Sequence, residues 1–324
     1  MFYDEVFGKD IIYMEGNMRR KIISVFVILA MFMSLFTACS IGGNSFFAFE
    51  LLEDDTYEVS ISVEPLKVKG KVNIPSKYKG KAVTAIAYAA FSGCKNLSEA
   101  TIPKSINSIG GYAFANTGIW NESKSNVVIY ISKWAIGYKG SANENSDSLS
   151  NVNIEPGTIG IADNAFYNCS KLESITIPDS VKTIGDSIFY GCSSLTSITI
   201  PNGIASIGKS AFENCQKLES VIISDGVESI KDRAFYGCLR LTNITIPDGV
   251  TSIGDSAFTN CKNLERIIIP ESVLTIGRNA FSRDSYVKQN SITIYVRASS
   301  KPTGWKDDWT RENNDVAVVW DYKN

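Results

Sequence analysis

Hydrophobic positions along this chain follow two short periods set inside one long one. In "SLTSITI" (194–200), Ile198 and Ile200 alternate with Ser197 and Thr199, and β-branched residues dominate, so a half-buried strand is predicted. Pro201 ends that strand by removing a ladder donor. A turn follows, carried in successive units by Asn202-Gly203, Asp225-Gly226 and Asp248-Gly249. A second short strand ("VKTIG", "IASIG", "VTSIG") then runs to Gly185, Gly208 or Gly254. Asp163, Asp186, Asp232 and Asp255 come next, where a short helix is expected to begin with the carboxylate capping its free N–H groups.

The long period is marked by phenylalanine, at Phe91, Phe114, Phe166, Phe189, Phe212, Phe235, Phe258 and Phe281. Each step is 23 residues except the 52 between Phe114 and Phe166, which hold one enlarged unit with Trp120 and "KWAIGYKG" (133–140). Self-similarity at this spacing predicts a solenoid of stacked coils. Two positions after each of seven phenylalanines stands only glycine or asparagine: Gly93, Asn116, Asn168, Gly191, Asn214, Gly237 and Asn260. Both types enter the left-handed backbone region easily, so one backbone path is expected in every unit.

Cysteine recurs three residues after the phenylalanine, at Cys94, Cys169, Cys192, Cys215, Cys238 and Cys261, with Thr117 in the matching place after Phe114. Coils ~4.8 Å apart would align these as a column of small, polarisable side chains beside the rings. Buried thiols are the expectation. A disulfide between some neighbours stays open, although five in a row cannot all pair.

"L-x-x-I-x-I-P" and "A-F-x-x-C" make the chain resemble the BspA-type (Treponema-type) leucine-rich repeat family of bacterial surface proteins. The resemblance covers about residues 55–300 and includes "KVNIPSKYKGKAVTAIAYAAFSGC" (71–94), which is similar to the family's first repeat. It implies a leucine-rich repeat solenoid, a right-handed α/β-type superhelix, strand-rich, with short strands and short helical turns. It also implies a cell-surface or secreted protein that binds matrix proteins, other cells or surface polymers, without naming the target. The segment 300–324 resembles a terminal cap of such solenoids.

The N-terminus reads as an address. Arg19, Arg20 and Lys21 precede an apolar run from Ile22 to Phe36, and Thr37-Ala38 lead to Cys39. This is a secretory signal pattern, and "LFTAC" resembles a bacterial lipobox in which Cys39 would be lipidated. An ordinary cleaved signal and an uncleaved anchor are the competing readings. The expected organisation is a leader at 1–17 ahead of a translation start at Met18, a signal at 18–38 and a tether at 39–54. A solenoid at 55–299 follows, with an enlarged unit at 115–160, then a cap at 300–324.

Composition narrows the chemistry. Of 324 residues none is histidine, which removes Ser/His/Asp triads, Cys/His dyads and histidine-containing zinc sites. Neighbouring cysteines lie at least 23 residues apart, so no C-x₂-C metal pair exists, and no cofactor or metal is expected. A net charge of −2 gives no basic surface for nucleic acid. The inward strand column is Ile175, Ile198, Val221, Ile244, Ile267 and Ile292. The outward column, a candidate binding face, is Thr176, Thr199, Ile222, Thr245, Ile268 and Thr293, flanked by Ser174, Ser197, Ser220, Asn243 and Arg266. The same residues would also serve as a plain stabilising surface ladder. Trp120, Trp134 and Tyr138 are candidate contacts on the insertion. Trp305, Trp309 and Trp320 read as cap filling, with a sugar platform as the other reading.

Function is therefore expected to be lipid-anchored display of a protein- or glycan-binding surface on the cell envelope. The alternatives are a carboxylate-based envelope enzyme and a structural spacer without a ligand.

Overall fold

The computed structural model describes residues 46–140, 150–283, 291–310 and 316–323. The signal segment, Cys39 and nearly all of the loop "GSANENSDSLS" (140–150) lie outside the described residues. The chain winds into a strand-rich solenoid of about ten turns. Each regular coil has three sides.

The first side is the predicted strand. Ser197–Ile200 pairs in parallel with Ser220–Ile223, and that strand with Asn243–Ile244. Further along, Arg266–Ile269 pairs with Ile292–Val296, which pairs with Val316–Val319. Ile198, Val221, Ile244 and Ile267 point inward and are buried, as their alternation requires. The prolines make the first corner, where the Val181, Ile204, Val250 and Val273 N–H groups donate to the carbonyls of Pro178, Pro201, Pro247 and Pro270. The second side is a run of two-residue strands, Ser206–Ile207, Ser229–Ile230, Ser252–Ile253, Thr275–Ile276 and Gly304–Trp305, all parallel.

The third side corrects the expected helix. No helix forms at Asp163, Asp186, Asp232 or Asp255; extended turns lie there instead. The seven predicted glycine and asparagine positions all have positive φ, between 55° and 75°. A second left-handed residue stands two positions before each phenylalanine: Ala89, Tyr112, Asn164, Ser187, Ser210, Arg233, Ser256 and Asn279. Two left-handed residues bracketing the ring prevent helical winding and turn alternate N–H groups toward the next coil. Ser187, Phe189 and Gly191 donate to the carbonyls of Lys209, Ala211 and Glu213 at 2.8–2.9 Å. The aspartates cap across coils as well. Oδ1 of Asp163, Asp186, Asp232 and Asp255 accepts from the backbone N–H of Asp186, Lys209, Asp255 and Arg278, respectively, at 2.7–2.8 Å.

The interior is the expected seam. From Phe166 to Phe281 six rings stack with centroids 5.2–5.5 Å apart, and Phe91 stacks on Phe114 at 5.1 Å. Cys192, Cys215, Cys238 and Cys261 are buried, and each Sγ donates to the carbonyl of the phenylalanine 26 residues earlier at 3.1–3.2 Å. No disulfide joins the described cysteines. Cys169 departs from the expectation in being only partly buried.

That unit divides the core into two clusters, one from Phe47 to Ala162 and one from Ala135 to Trp309. It contains a short helix, Gly118–Glu122, capped by Thr117 Oγ1, and an antiparallel hairpin, Val127–Ile131 with Trp134–Lys139. The second hairpin strand then takes the place of a two-residue strand, pairing with Gly160–Ile161.

Both ends are closed by aromatics. Phe47 meets Phe91 edge-on at 6.4 Å, and Trp309 meets Phe281 edge-on at 5.8 Å. Phe47 belongs to a strand, Phe47–Leu51, paired antiparallel with Tyr57–Ile61, so the segment expected as tether over 39–54 is part of the fold from residue 47. Trp305 and Trp309 are buried and Trp320 packs on Trp305, which makes them cap filling.

Candidate functional site

The strand side places most of the predicted face together. Ser174, Ser197, Ser220, Asn243 and Arg266 form one outward column. Thr176, Thr199, Ile222, Thr245 and Ile268 form the next, and the side chain of Ile222 stands 63% exposed. Thr293 is a correction. It pairs with Arg266, not Ile268, and the neighbour of Ile268 is Tyr295. Ile292–Val296 sits 27 residues beyond Arg266–Ile269, four more than the repeat, so Thr293, 25 beyond Ile268, falls two positions short of that column. With Tyr295 and then Val319 in the line, the outward column is mainly hydroxyl-bearing at Thr176 and Thr199 and mainly apolar beyond Ile268. Arg266 caps that apolar end, its guanidinium 4.7 Å over the Tyr295 ring and its Nη2 donating to Tyr322 Oη at 2.7 Å. Beside it Glu271, Arg297, Ser299, Asp321, Tyr322 and Lys323 line a hollow of about 400 Å³.

The insertion residues behave differently. Trp134 is buried at 2% exposure with its ring over Gly160, so it is core and cannot meet a partner. Its large apolar body fills the space that the irregular coil leaves beside the seam. Trp120 is half-buried against Gly137, and half-buried Tyr138 donates to Asn126 Oδ1 at 2.9 Å. Lys139 Nζ donates to the carbonyls of Trp120, Asn121 and Ser123 at 2.6–2.9 Å and so closes the short helix. The unit is a packed block.

Two surface features escape the sequence reading. Over the two-residue strands runs a trough of about 530 Å³, floored by Ser229, Ser252, Thr275 and Gly304 and walled by Asp186, Lys209, Asp232 and Asp255. The glycine column beside it was the available signal, since it lets successive coils approach closely there: a Cβ at Gly254 would collide with the Asp232 backbone nitrogen. On the turn side, Tyr167 stacks on Tyr190 at 4.8 Å, Tyr236 holds the same repeat position two coils on, and Tyr88 meets Tyr112 edge-on at 5.8 Å.

Ionisation gives little chemistry to the interior. Burial pushes the Cys94 thiol up to about 11 and Cys261 to about 12, and it raises Cys192, Cys215 and Cys238 well above the usual thiol range. Such thiols stay protonated and are poor nucleophiles. Asp163, beside the enlarged unit, is pushed up to about 6, mainly by burial and against the hydrogen bond from Asp186 N–H. Among the described residues no three acidic or sulfur side chains converge as a metal site.

The family model for the BspA type leucine rich repeat region matches in six copies, over residues 69–144, 128–238 and 205–299. The chain belongs to the BspA-type leucine-rich repeat family. That membership makes it a repeat-based scaffold, consistent with the coil geometry above. Among solved structures, it is similar to a leucine rich cell surface protein of Faecalibacterium prausnitzii, with 25% identity, coverage of 80% of this chain and 70% of that one, and a TM-score of 0.39. It is also similar to a leucine-rich repeat protein of Bacteroides ovatus, with 23% identity, 88% and 67% coverage and a TM-score of 0.40. The T. pallidum leucine rich repeat protein shares 26% identity over 69% of this chain and 91% of that one, at a TM-score of 0.35. No curated protein matches.

Proposed function

We propose that this BspA-type protein is displayed on the cell envelope through a lipid on Cys39 and binds a protein or glycan on its strand side. The observation that carries the reading is the exposed outward column, which runs unbroken in register from Ser197–Ile200 through Ser220–Ile223 and combines hydroxyls with the exposed Ile222. A solenoid offers such a surface as one extended area. A mixed hydroxyl and apolar strip suits a partner that is part polar and part apolar, which both proteins and glycans are. The structural likeness to a protein described as a cell surface protein supports the location.

Two experiments test it. The chain from residue 40 onward, screened against arrays of matrix proteins and glycans, is expected to yield a ligand whose binding falls at least tenfold with Ile222→Asp. Binding that ignores Ile222→Asp and Thr199→Glu removes the strand side from the proposal. Separately, Cys39→Ala is expected to abolish lipid labelling and membrane association in cells, and unchanged fractionation refutes the anchor.

A further inference from the structure

The two ends of the solenoid treat their outermost strands in opposite ways. On the strand side, the first strand, Lys69–Asn73, pairs only with Asn96–Thr101 among the described residues, and its register shifts at Gly70/Lys71. Lys69 and Lys71 are exposed along it. A bulge and edge lysines are the usual obstacles to addition of another strand. The other sheet at this end stops at Phe47–Leu51, which carries exposed Glu50 and leads into Glu53, Asp54 and Asp55.

At the far end the outermost strand is Val316–Val319. It pairs in parallel with Ile292–Val296, in unbroken register, and with no other described strand. It has no charge, no proline and no bulge. Ala317 and Val319 are exposed, Val319 to 40%, and Val316 and Val318 are half-buried. Its outward side chains continue the apolar line of Ile268 and Tyr295. An uncharged, regular edge is a template for another strand.

We propose that this edge pairs antiparallel with the same edge of a second copy, giving a closed two-fold dimer. Three features select the second copy. The strand is self-complementary, since no like charges face each other when it pairs with itself. Stacking head to tail would set it against Lys69–Asn73, where the bulge and lysines stand, so an open filament is blocked and a symmetric pair remains. The apolar line of Ile268, Tyr295 and Val319 would also become continuous across both copies. A contact limited to the end of one coil is well below the ~1,600 Å² of a standard stable interface, so a weak dimer follows.

Sedimentation velocity on residues 40–324, over a series spanning micromolar concentrations, tests this. The expected result is a reversible monomer–dimer equilibrium, weakened at least tenfold by Ala317→Lys and by Val319→Lys. Both side chains face solvent, so thermal unfolding should not move. Ile222→Lys, on the same side but distant from the edge, should leave dimerisation intact. Hydrogen exchange should show amides of Val316–Val319 gaining protection as concentration rises, with Lys69–Asn73 unchanged. A monomer at every concentration, a dimer indifferent to both lysines, or protection gained at both ends would each overturn the proposal. None of these outcomes bears on ligand binding at Ile222, which is read separately.

Discussion

The coils from Phe166 to Phe281 and the block from Gly118 to Ile161 share one backbone axis and differ in how they are held. In the regular coils the core contacts recur: ring on ring, thiol to carbonyl, and, except at Lys209, carboxylate to the next N–H. In the block each contact occurs once, as with the Trp134 ring over Gly160 or Lys139 on three carbonyls. Repetition spreads stability over nearest neighbours, whereas a unique block, with the bond from Asp163 N–H to the Ile109 carbonyl beside it, joins the two core clusters. The enlarged unit is thus the seam along which the two halves are expected to part.

The largest effect that would sharpen this contrast is Phe212→Ala, in the middle of the six-ring stack. It should cost about 3–5 kcal/mol. Native-state hydrogen exchange should show the loss in coils 166–281 and leave amides around Phe91 and Phe114 unchanged. A uniform loss across the chain would make the molecule one cooperative unit.

Next comes a pair of glycines. Both Gly191 in the array and Gly157 in the enlarged unit have positive φ, 69° and 84°. A Cβ at Gly191 would collide with the Asn168 side chain, whereas one at Gly157 meets nothing within 4 Å. Gly157→Ala therefore isolates backbone strain, about 1 kcal/mol, and Gly191→Ala should cost about 2–3 kcal/mol in urea denaturation. Equal costs would mean that the array yields locally as freely as the block.

Asp163 lies at the junction. Its folded pKa of about 6 stands above the unfolded value of 3.8, so its contribution favours the fold below pH 3.8 and is lost as pH rises through 6. Asp163→Asn keeps an oxygen for Asp186 N–H and should match the parent near pH 4. At pH 8 it should be more stable, on the order of 1–2 kcal/mol. A destabilised variant at pH 8 would show that the carboxylate is needed as an anion.

The smallest change is Cys215→Ser, expected to cost about 1 kcal/mol by placing a more polar, smaller atom in the seam while keeping a donor for the Phe189 carbonyl. Thermal unfolding measures it. An unchanged midpoint would argue against tight packing around the thiols.

How far the fold was legible depended on how narrowly physics restricts each residue type. Glycine and asparagine two places after phenylalanine announced a left-handed backbone, and all seven adopt it. The matching column two places before holds asparagine only at Asn164 and Asn279, and elsewhere alanine, tyrosine, serine and arginine, which give no such notice. Missing it turned a bracketed extended turn into an expected helix. The aspartates advertised capping, but the N–H they receive belongs to the coil 23 residues on, a relation visible only once coils stack. On the strand side alternation fixed inside and outside as far as Arg266–Ile269, and the irregular final spacing misassigned Thr293. The trough and the phenol row were hidden because serine, glycine and tyrosine are ordinary surface residues until a repeat aligns them.

One consequence of the coil geometry concerns size. Each regular coil offers upward the same surface that it receives from below, so excising or duplicating 23 residues between Phe166 and Phe281 should create no mismatched junction. The molecule's reach can therefore change in quanta of ~4.8 Å while both terminal plugs, Phe47 and Trp309, stay as they are.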